Sequence, residues 1–339
     1  MDPKQKILAA LTRRRTATGP ELARALGVSR QAVNPHLRAL IEGGDIVRTG
    51  VTRGARYMLA GHAPQAAVLS RNLDLAGLDE GTAWDDLAAR LNLHASLRAN
   101  VEAIAHYAFT EMLNNAIEHS EADRCRVTVR LEPGRLAFEV RDPGIGVFHS
   151  IASKLHFRDE EAAMVELMKG RTTTMREAHT GEGLFFTSRI ADRFVLRSHR
   201  IRVEWIRARG DVFVSAPRFL KGTEVRFEVQ RSARQKLEEV FHEYAPEAYD
   251  FEFAKTRVLV RLLQQDYISR SEARRLLANL EKFKEVALDF KGVESVGQGF
   301  ADEIFRVFAS RHPGIRIDVE NASPAVEAMI RHARAGAEK

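Results

Sequence analysis

The chain has 339 residues, 45% of them apolar and 29% charged, which suits two or three globular domains and excludes a low-complexity chain. Its one cysteine, Cys125, excludes an intrachain disulfide, and no apolar run reaches the roughly 20 residues that span a bilayer, so the sequence reads as a cytoplasmic protein with no membrane partner. The net charge of +6 is uneven: the first 60 residues hold eleven Lys/Arg and four acids, a charge of +7, and this points to a polyanion partner for that segment.

In chain order, residues 4–13 read as a helix with Ile7, Leu8 and Leu11 inward. Thr18-Gly-Pro-Glu21 is a capping box that opens a second helix carrying Leu22, Ala23 and Leu26. Gly27-Val28 turns the chain. Ser29 caps a third helix to about Glu42, with Ala32, Val33, Leu37, Leu40 and Ile41 inward. Pro35 inside it argues against regular geometry there. Gly43-Gly44 ends this helix, and Ile46–Arg48 and Arg56–Leu59 read as strands around a basic turn. Residues 61–72 look like a linker. Residues 79–90 and 93–120 read as helices, and Arg126–Leu131 and Leu136–Val140 as strands split by Pro133-Gly134. Residues 147–180 hold no steady period. A helix over 183–191 precedes a strand series at Phe194–Ser198, Ile201–Arg207, Asp211–Ser215 and Glu224–Val229. Residues 231–256 connect to a last unit, in which Arg257–Leu263, Glu285–Phe290 and Ile315–Val319 are strands. Ser269-x-x-Glu272 caps a helix to about Phe283, 298–310 is a helix, and Ser323-Pro324 opens the last one.

Residues 1–60 resemble a winged helix-turn-helix. The resemblance implies double-stranded DNA as partner, with Ser29, Arg30, Gln31 and Asn34 in the major groove, Arg38 near phosphate, and Arg53 and Arg56 on the wing. Arg, Gln and Asn are the types that pair bidentately with guanine and adenine edges. The plainer alternative is a protein-docking winged helix whose exposed positions happen to be polar. Such regulators pair as homodimers on pseudo-palindromic sites. The 93–120 helix offers a dimer seam or, equally, a core face.

Three motifs follow: Glu111 with Asn115, Asp142-Pro-Gly-Ile-Gly146, and Gly181-Glu-Gly-Leu184. Glu111 and Asn115 are four apart and share a helix face. A carboxylate there orients a water, and a carboxamide oxygen beside it suits Mg²⁺, a hard cation that keeps some of its waters. Glycines at a helix N-terminus expose donors where phosphate is favoured. In type, order and placement the motifs resemble the ATPase superfamily shared by gyrase, mismatch-repair proteins, sensor histidine kinases and anti-sigma-factor kinases, the GHKL or Bergerat type, over residues 73–230. That resemblance implies ATP and Mg²⁺ as cofactors. Glu111 is then the catalytic residue and Asn115 the Mg²⁺ ligand. Asp142 accepts the adenine amino group, Gly144 and Gly146 admit the backbone close to the ligand, and Thr223 after Gly222 bonds near adenine. Thr180, Gly181, Gly183 and Leu184 form the phosphate turn, and a lid over 147–180 brings Lys169 or Arg171 to the γ-phosphate. Phe185-Phe186 depart from the sensor-kinase pattern. His94, only 17 residues before Glu111, is too close to serve as a phosphoacceptor on a separate mobile domain.

Val286–Val296 with the helix after it resembles the STAS fold of anti-sigma-factor antagonists, here over 257–339. The position of the family's phosphorylated serine holds Gln298 or Gly299, with Ser295 nearby. The expected fold class is therefore multidomain α+β: a winged helix, an α/β sandwich ATPase, and a small STAS-like α/β domain, an order resembling a group of prokaryotic ATP-binding regulators. The leading expectation is an ATP-gated DNA-binding transcriptional regulator with slow hydrolysis and a protein partner on the STAS-like domain. The alternatives are an anti-sigma-type serine/threonine kinase and a non-enzymatic nucleotide-sensing scaffold in stress or defence.

Overall fold

The computed structural model describes residues 2–42, 45–49, 55–59, 67–170, 182–246, 254–263 and 267–335. Two compact units emerge, Met1–Ile145 with Ala191–Lys236, and Gly146–Ile190 with Leu237–Lys339. Among the described residues no helix is long and apolar enough to cross a membrane.

The first unit begins with α1 (Pro3–Arg14), β1 (Ala17–Thr18), α2 (Gly19–Leu26), α3 (Arg30–Glu42), β2 (Ile46–Thr49) and β3 (Arg56–Leu59). Ile7, Leu11, Leu22, Val33, Leu37, Leu40 and Ile46 fill its core, beside an antiparallel sheet of order β1-β3-β2. The Thr18–Glu21 capping box forms in both directions, and Gly27 ends α2 in the left-handed region at φ 69°. α3 continues past Pro35, which lies on its exposed side, where water can serve the carbonyl that the missing N–H leaves. Ala32 and Ile41, expected inward, are exposed, because the Val33–Leu37–Leu40 stripe alone faces the core.

A seven-stranded antiparallel sheet follows. Its strands are β4 (Ala67–Asp74), β5 (Arg124–Leu131), β6 (Arg135–Asp142), β7 (Arg193–His199), β8 (Ile201–Ile206), β9 (Asp211–Ser215) and β10 (Leu220–Gln230), in the order β4-β5-β6-β10-β7-β8-β9. α4 (Glu80–Leu91), α5 (Leu93–Ser96) and α6 (Ala99–His119) accompany it. Strand alternation sends Val127, Val129, Val140, Phe194 and Phe227 to the buried face. There Phe138 of β6 meets Phe109 of α6 edge-on at 5.7 Å and stacks on Phe227 at 4.8 Å.

Two expectations need correction here. The expected linker 61–72 is a strand from Ala67, paired from Ala67↔Leu131 to Asp74↔Arg124. Ladder bonds to β5, which sequence pattern does not display, hold it. The expected helix 93–120 breaks at Leu97 and Arg98, both extended. The Arg231 guanidinium takes the Ser96 carbonyl at 2.6 Å and so closes α5.

The second unit holds α7 (Val147–Lys154), α8 (Glu160–Lys169), α9 (Gly183–Ile190), α10 (Leu237–Tyr244) and a parallel sheet β11 (Lys255–Leu259), β12 (Glu285–Asp289), β13 (Arg316–Glu320). α11 (Arg270–Leu277), α12 (Gln298–Asp302), a π-helical turn (Glu303–Phe308), α13 (Ala309–Arg311) and α14 (Pro324–Ala335) complete it. The Ser269–Glu272 capping box forms as expected. Residues 146–190, assigned from sequence to the domain 73–230, make most of their contacts with 237–339. Thr256 of β11 donates its hydroxyl to the Lys169 carbonyl at 2.5 Å, and Phe186 of α9 packs edge-on against Phe241 of α10 at 4.6 Å. The described residues of the expected connector 231–256 are structured, and 247–253 lie outside the described residues. Asn100 of α6 bonds the carbonyls of Ala233 and Gln235, and α10 and the start of β11 take up much of the rest. β11 gives way to a 3₁₀ turn at Val260 where the sequence suggests strand to Leu263.

Candidate functional site

Asp142 ends β6 as a buried carboxylate, opposite Thr223 of β10. Its Oδ1 accepts the Gly144 N–H at 2.9 Å, and the Thr223 N–H also bonds it. Burial pushes the carboxyl above its ordinary value, and these backbone donors oppose that shift. Among the described residues no Lys or Arg pairs with it.

Two glycines shape the surrounding turn. A Cβ on Gly144 would stand 1.9 Å from the Ser120 carbonyl oxygen. A Cβ on Gly222, at φ 81°, would stand 2.1 Å from the Asp142 carbonyl oxygen. That same Ser120 carbonyl, just past the end of α6, accepts the Ile145 N–H at 2.8 Å. The aspartate turn is thereby fastened to the helix that bears Glu111 and Asn115. Ser120 is a positioning residue that sequence reasoning missed, and Gly222, read from sequence only as part of the Gly-Thr motif, forms a bulge that closes the turn. Ser120 bonds Ala116 and Ala122 through its hydroxyl, and a serine immediately after a helix is the signal that was available. Cys125 lies beside Asp142, and burial followed by that carboxylate pushes its thiol up to about 12, so it is chemically inert there.

Glu111 and Asn115 are both half-buried on α6. Asn115 donates Nδ2 to the Glu111 carbonyl at 2.6 Å, which leaves Oδ1 as the acceptor of its carboxamide. A single carboxamide oxygen fits Mg²⁺, which takes one or two protein oxygens together with phosphates and water. Among the described residues no cluster of three or more His, Cys, Asp or Glu would hold an ion by itself.

Gly146 and the residues expected at the phosphates belong to the second unit. Gly146 precedes α7 at φ 85°, Gly183 opens α9, and Leu184 is buried. Arg171, Thr180 and Gly181 lie outside the described residues. Lys169 is not available to a γ-phosphate: it is 2% exposed, pairs with Glu166 at 3.1 Å, and donates to the Ala278 carbonyl at 2.8 Å. Burial pulls its ammonium below the ordinary lysine value, and Glu166 opposes this. The packing of α8 on β11 is the physical reason for its burial. The departure at Phe185-Phe186 also has a cause: both rings are buried, and Phe185 meets Tyr244 edge-on at 5.0 Å. His94 sits on α5 against Glu102 of α6.

In the N-terminal head, Gln31, Asn34 and Arg38 are exposed along one side of α3. Ser29 accepts the Ala32 N–H as cap, and Arg30 opens the helix. Arg56 is turned back to Thr16, donating to its hydroxyl at 3.1 and 3.2 Å, and Arg53 lies outside the described residues. In the C-terminal part Ser295 and Gln298 are exposed, with Gly297 capping α12. A Cβ on Gly297 would lie 2.7 Å from the Ile268 carbonyl oxygen.

Comparison with known families gives three matches. Residues 3–54 match the HTH domain, residues 100–233 the histidine kinase-, DNA gyrase B-, and HSP90-like ATPase, and residues 272–327 a STAS-like domain of unknown function. No curated protein matches the chain. The chain is therefore a three-part protein: a helix-turn-helix domain, a GHKL-type ATPase domain and a STAS-like domain.

Proposed function

We propose that this protein is an ATP-binding transcriptional regulator in which Mg²⁺-ATP controls the DNA-binding head. The observation that carries this reading is Asp142. A buried carboxylate without a cationic partner is costly, and here it is held in a turn closed by Gly144 and Gly222. That cost is understandable if an external N–H donor, the adenine amino group, completes its bonding. Thr223, its cross-strand neighbour, bonds at the same edge of the base.

Mg²⁺, when bound, neutralises phosphate charge. Asn115 would offer it Oδ1, the carboxamide being held by the bond from Nδ2 to the Glu111 carbonyl. The Glu111 carboxylate polarises a water toward the γ-phosphate, making hydrolysis a slow timer. Gly183 and Leu184 carry the phosphate-side role that the family resemblance assigns them. In the head, Gln31 and Asn34 read base edges while Arg38 contacts phosphate. The protein acts as a homodimer on DNA, and the STAS-like domain receives a protein partner. Nucleotide shifts DNA affinity only by the difference in its affinity for the two conformational states.

The test is binding of the full chain to its operator, isolated by genome-wide footprinting, with ATP, ADP or neither. An affinity that changes between nucleotides supports gating, and equal affinity in all three removes it. Phosphate release that persists unchanged in Glu111→Gln removes the hydrolytic role.

A further inference from the structure

The seven-stranded sheet has a second face, pointing away from Phe138 and α6. Strand register arranges its side chains in cross-strand rows. One row contains Asn72, Arg126, Arg141, Glu224, Arg197 and Arg202. Within it Arg126 stands directly opposite Arg141, and Arg197 directly opposite Arg202. Like charges placed directly opposite each other destabilise a sheet, and this row has two such pairs.

The neighbouring acids are already paired, Glu204 with the row's own Arg202. Glu224 is 5% exposed and pairs with Arg226, which also holds Glu139. Glu204 holds Arg193 and Arg202, and Glu228 holds Arg193 and Arg135. Among the described residues, exposed Arg126, Arg130 and Arg141 form no ion pair, and Arg126 bonds only the Asn72 carboxamide at 3.1 Å. Arg197 donates Nη2 to the Arg218 carbonyl and keeps a buried Nε without a partner.

We infer that this arginine row is a phosphate-binding surface for duplex DNA, separate from the helix-turn-helix contact. Guanidinium forks match phosphate bidentately, and every cation of the row is arginine. Strands lie about 4.8 Å apart, so the guanidiniums form a cationic track across the sheet, interrupted by buried Glu224 between Arg141 and Arg197. Duplex DNA offers one charge per roughly 1.7 Å of axis, a dense and regular complement to that track. Nucleic acid is favoured over an acidic protein on the function proposed above, in which the helix-turn-helix domain of the same chain binds duplex. Contacts of this kind add affinity and leave sequence preference unchanged.

The experiment follows binding of the full chain to a long random-sequence duplex across salt, without nucleotide, so the result is independent of ATP gating. In Arg126→Gln/Arg141→Gln the slope of log K against log salt flattens by about 1.8, the loss of two phosphate contacts. Arg130→Gln alone flattens it by about 0.9. Arg90→Gln, on α4 and paired with Asp86, leaves it unchanged. Removing an opposed pair also leaves the thermal midpoint at or above that of the parent. An unchanged slope in both sheet variants, or an equal change in Arg90→Gln, overturns the inference. Polyglutamate that displaces labelled duplex as readily as unlabelled duplex does would assign the row to an acidic protein instead, and so overturn it as well.

Discussion

Asp142 on β6 and Thr223 on β10 are direct cross-strand partners, and the Thr223 N–H helps restrain the Asp142 carboxyl against the effect of burial. Burial still dominates and the carboxyl lies above its ordinary value. A raised value in the folded state means that this group's contribution to stability is fully present below its unfolded value, about 3.9, and is lost as pH rises through the folded value. Asp142→Asn keeps an acceptor for the Gly144 N–H and removes the charge. Its thermal midpoint should exceed the parent's by roughly 2–4 °C at neutral pH, with the gain shrinking toward pH 4. Calorimetry on the same variant should show ATP affinity reduced about tenfold or more. Lower stability with intact affinity would contradict both halves.

Gly144 and Gly222 should tolerate no side chain. Alanine at either would drive a Cβ into backbone oxygen, 1.9 Å from Ser120 and 2.1 Å from Asp142 respectively. Each substitution should cost about 3 kcal/mol or more in denaturant unfolding, because the atoms met are backbone and cannot swing away. Gly134→Ala is the control, since a Cβ there meets nothing within 4 Å and stability should hardly change.

Asn115→Ala should separate metal-dependent from metal-independent binding. Losing a contact to a charged ligand costs about 1.5–3 kcal/mol, a roughly 10- to 100-fold rise in Kd for Mg²⁺-ATP. Affinity for ATP in excess chelator should hardly move. Isothermal titration with and without Mg²⁺ reads both values, and an equal loss in the two conditions would remove the ion from Asn115.

Lys169→Met tests the reassignment of a residue that the motif pattern places at the γ-phosphate. Glu166 would lose this partner and keep Lys282, 3.1 Å away. Removing one partner of a buried pair is expected to cost about 3 kcal/mol. Because burial holds the Lys169 ammonium below its ordinary value, the parent gains stability as pH rises toward about 10.4, and the gap between parent and variant widens from neutral to alkaline pH. Normal stability with lost ATP affinity would return Lys169 to the nucleotide.

Local chemistry made much of this protein legible from its sequence. The Thr18–Glu21 and Ser269–Glu272 capping boxes, the Gly27 turn and the pairing of β5 with β6 depend on neighbours a few residues apart. Asp142 and Thr223 were identifiable by residue type. What fixes their position was not: the Gly144 approach to Ser120 spans 24 residues, and the Gly222 approach to Asp142 spans 80. Lys169 reads as an exposed cation from its own segment, and only β11 and Ala278, about a hundred residues on, show that it is buried. β4 was missed because its alternation is shallow, with half-buried Leu69, Arg71 and Leu73 among exposed neighbours. The π-helical turn at Glu303–Phe308 left no pattern distinct from ordinary helix.

The aromatic seam between α9 and α10 limits how the gene can be cut. Phe185 and Phe186 rely on Phe241 and Tyr244, which lie beyond the last strand of the seven-stranded sheet. A recombinant fragment terminated at the family boundary near residue 233 would bare two phenylalanine rings and the buried side of α8 to water. Such truncations invite inclusion bodies, and the three family segments are not interchangeable cassettes.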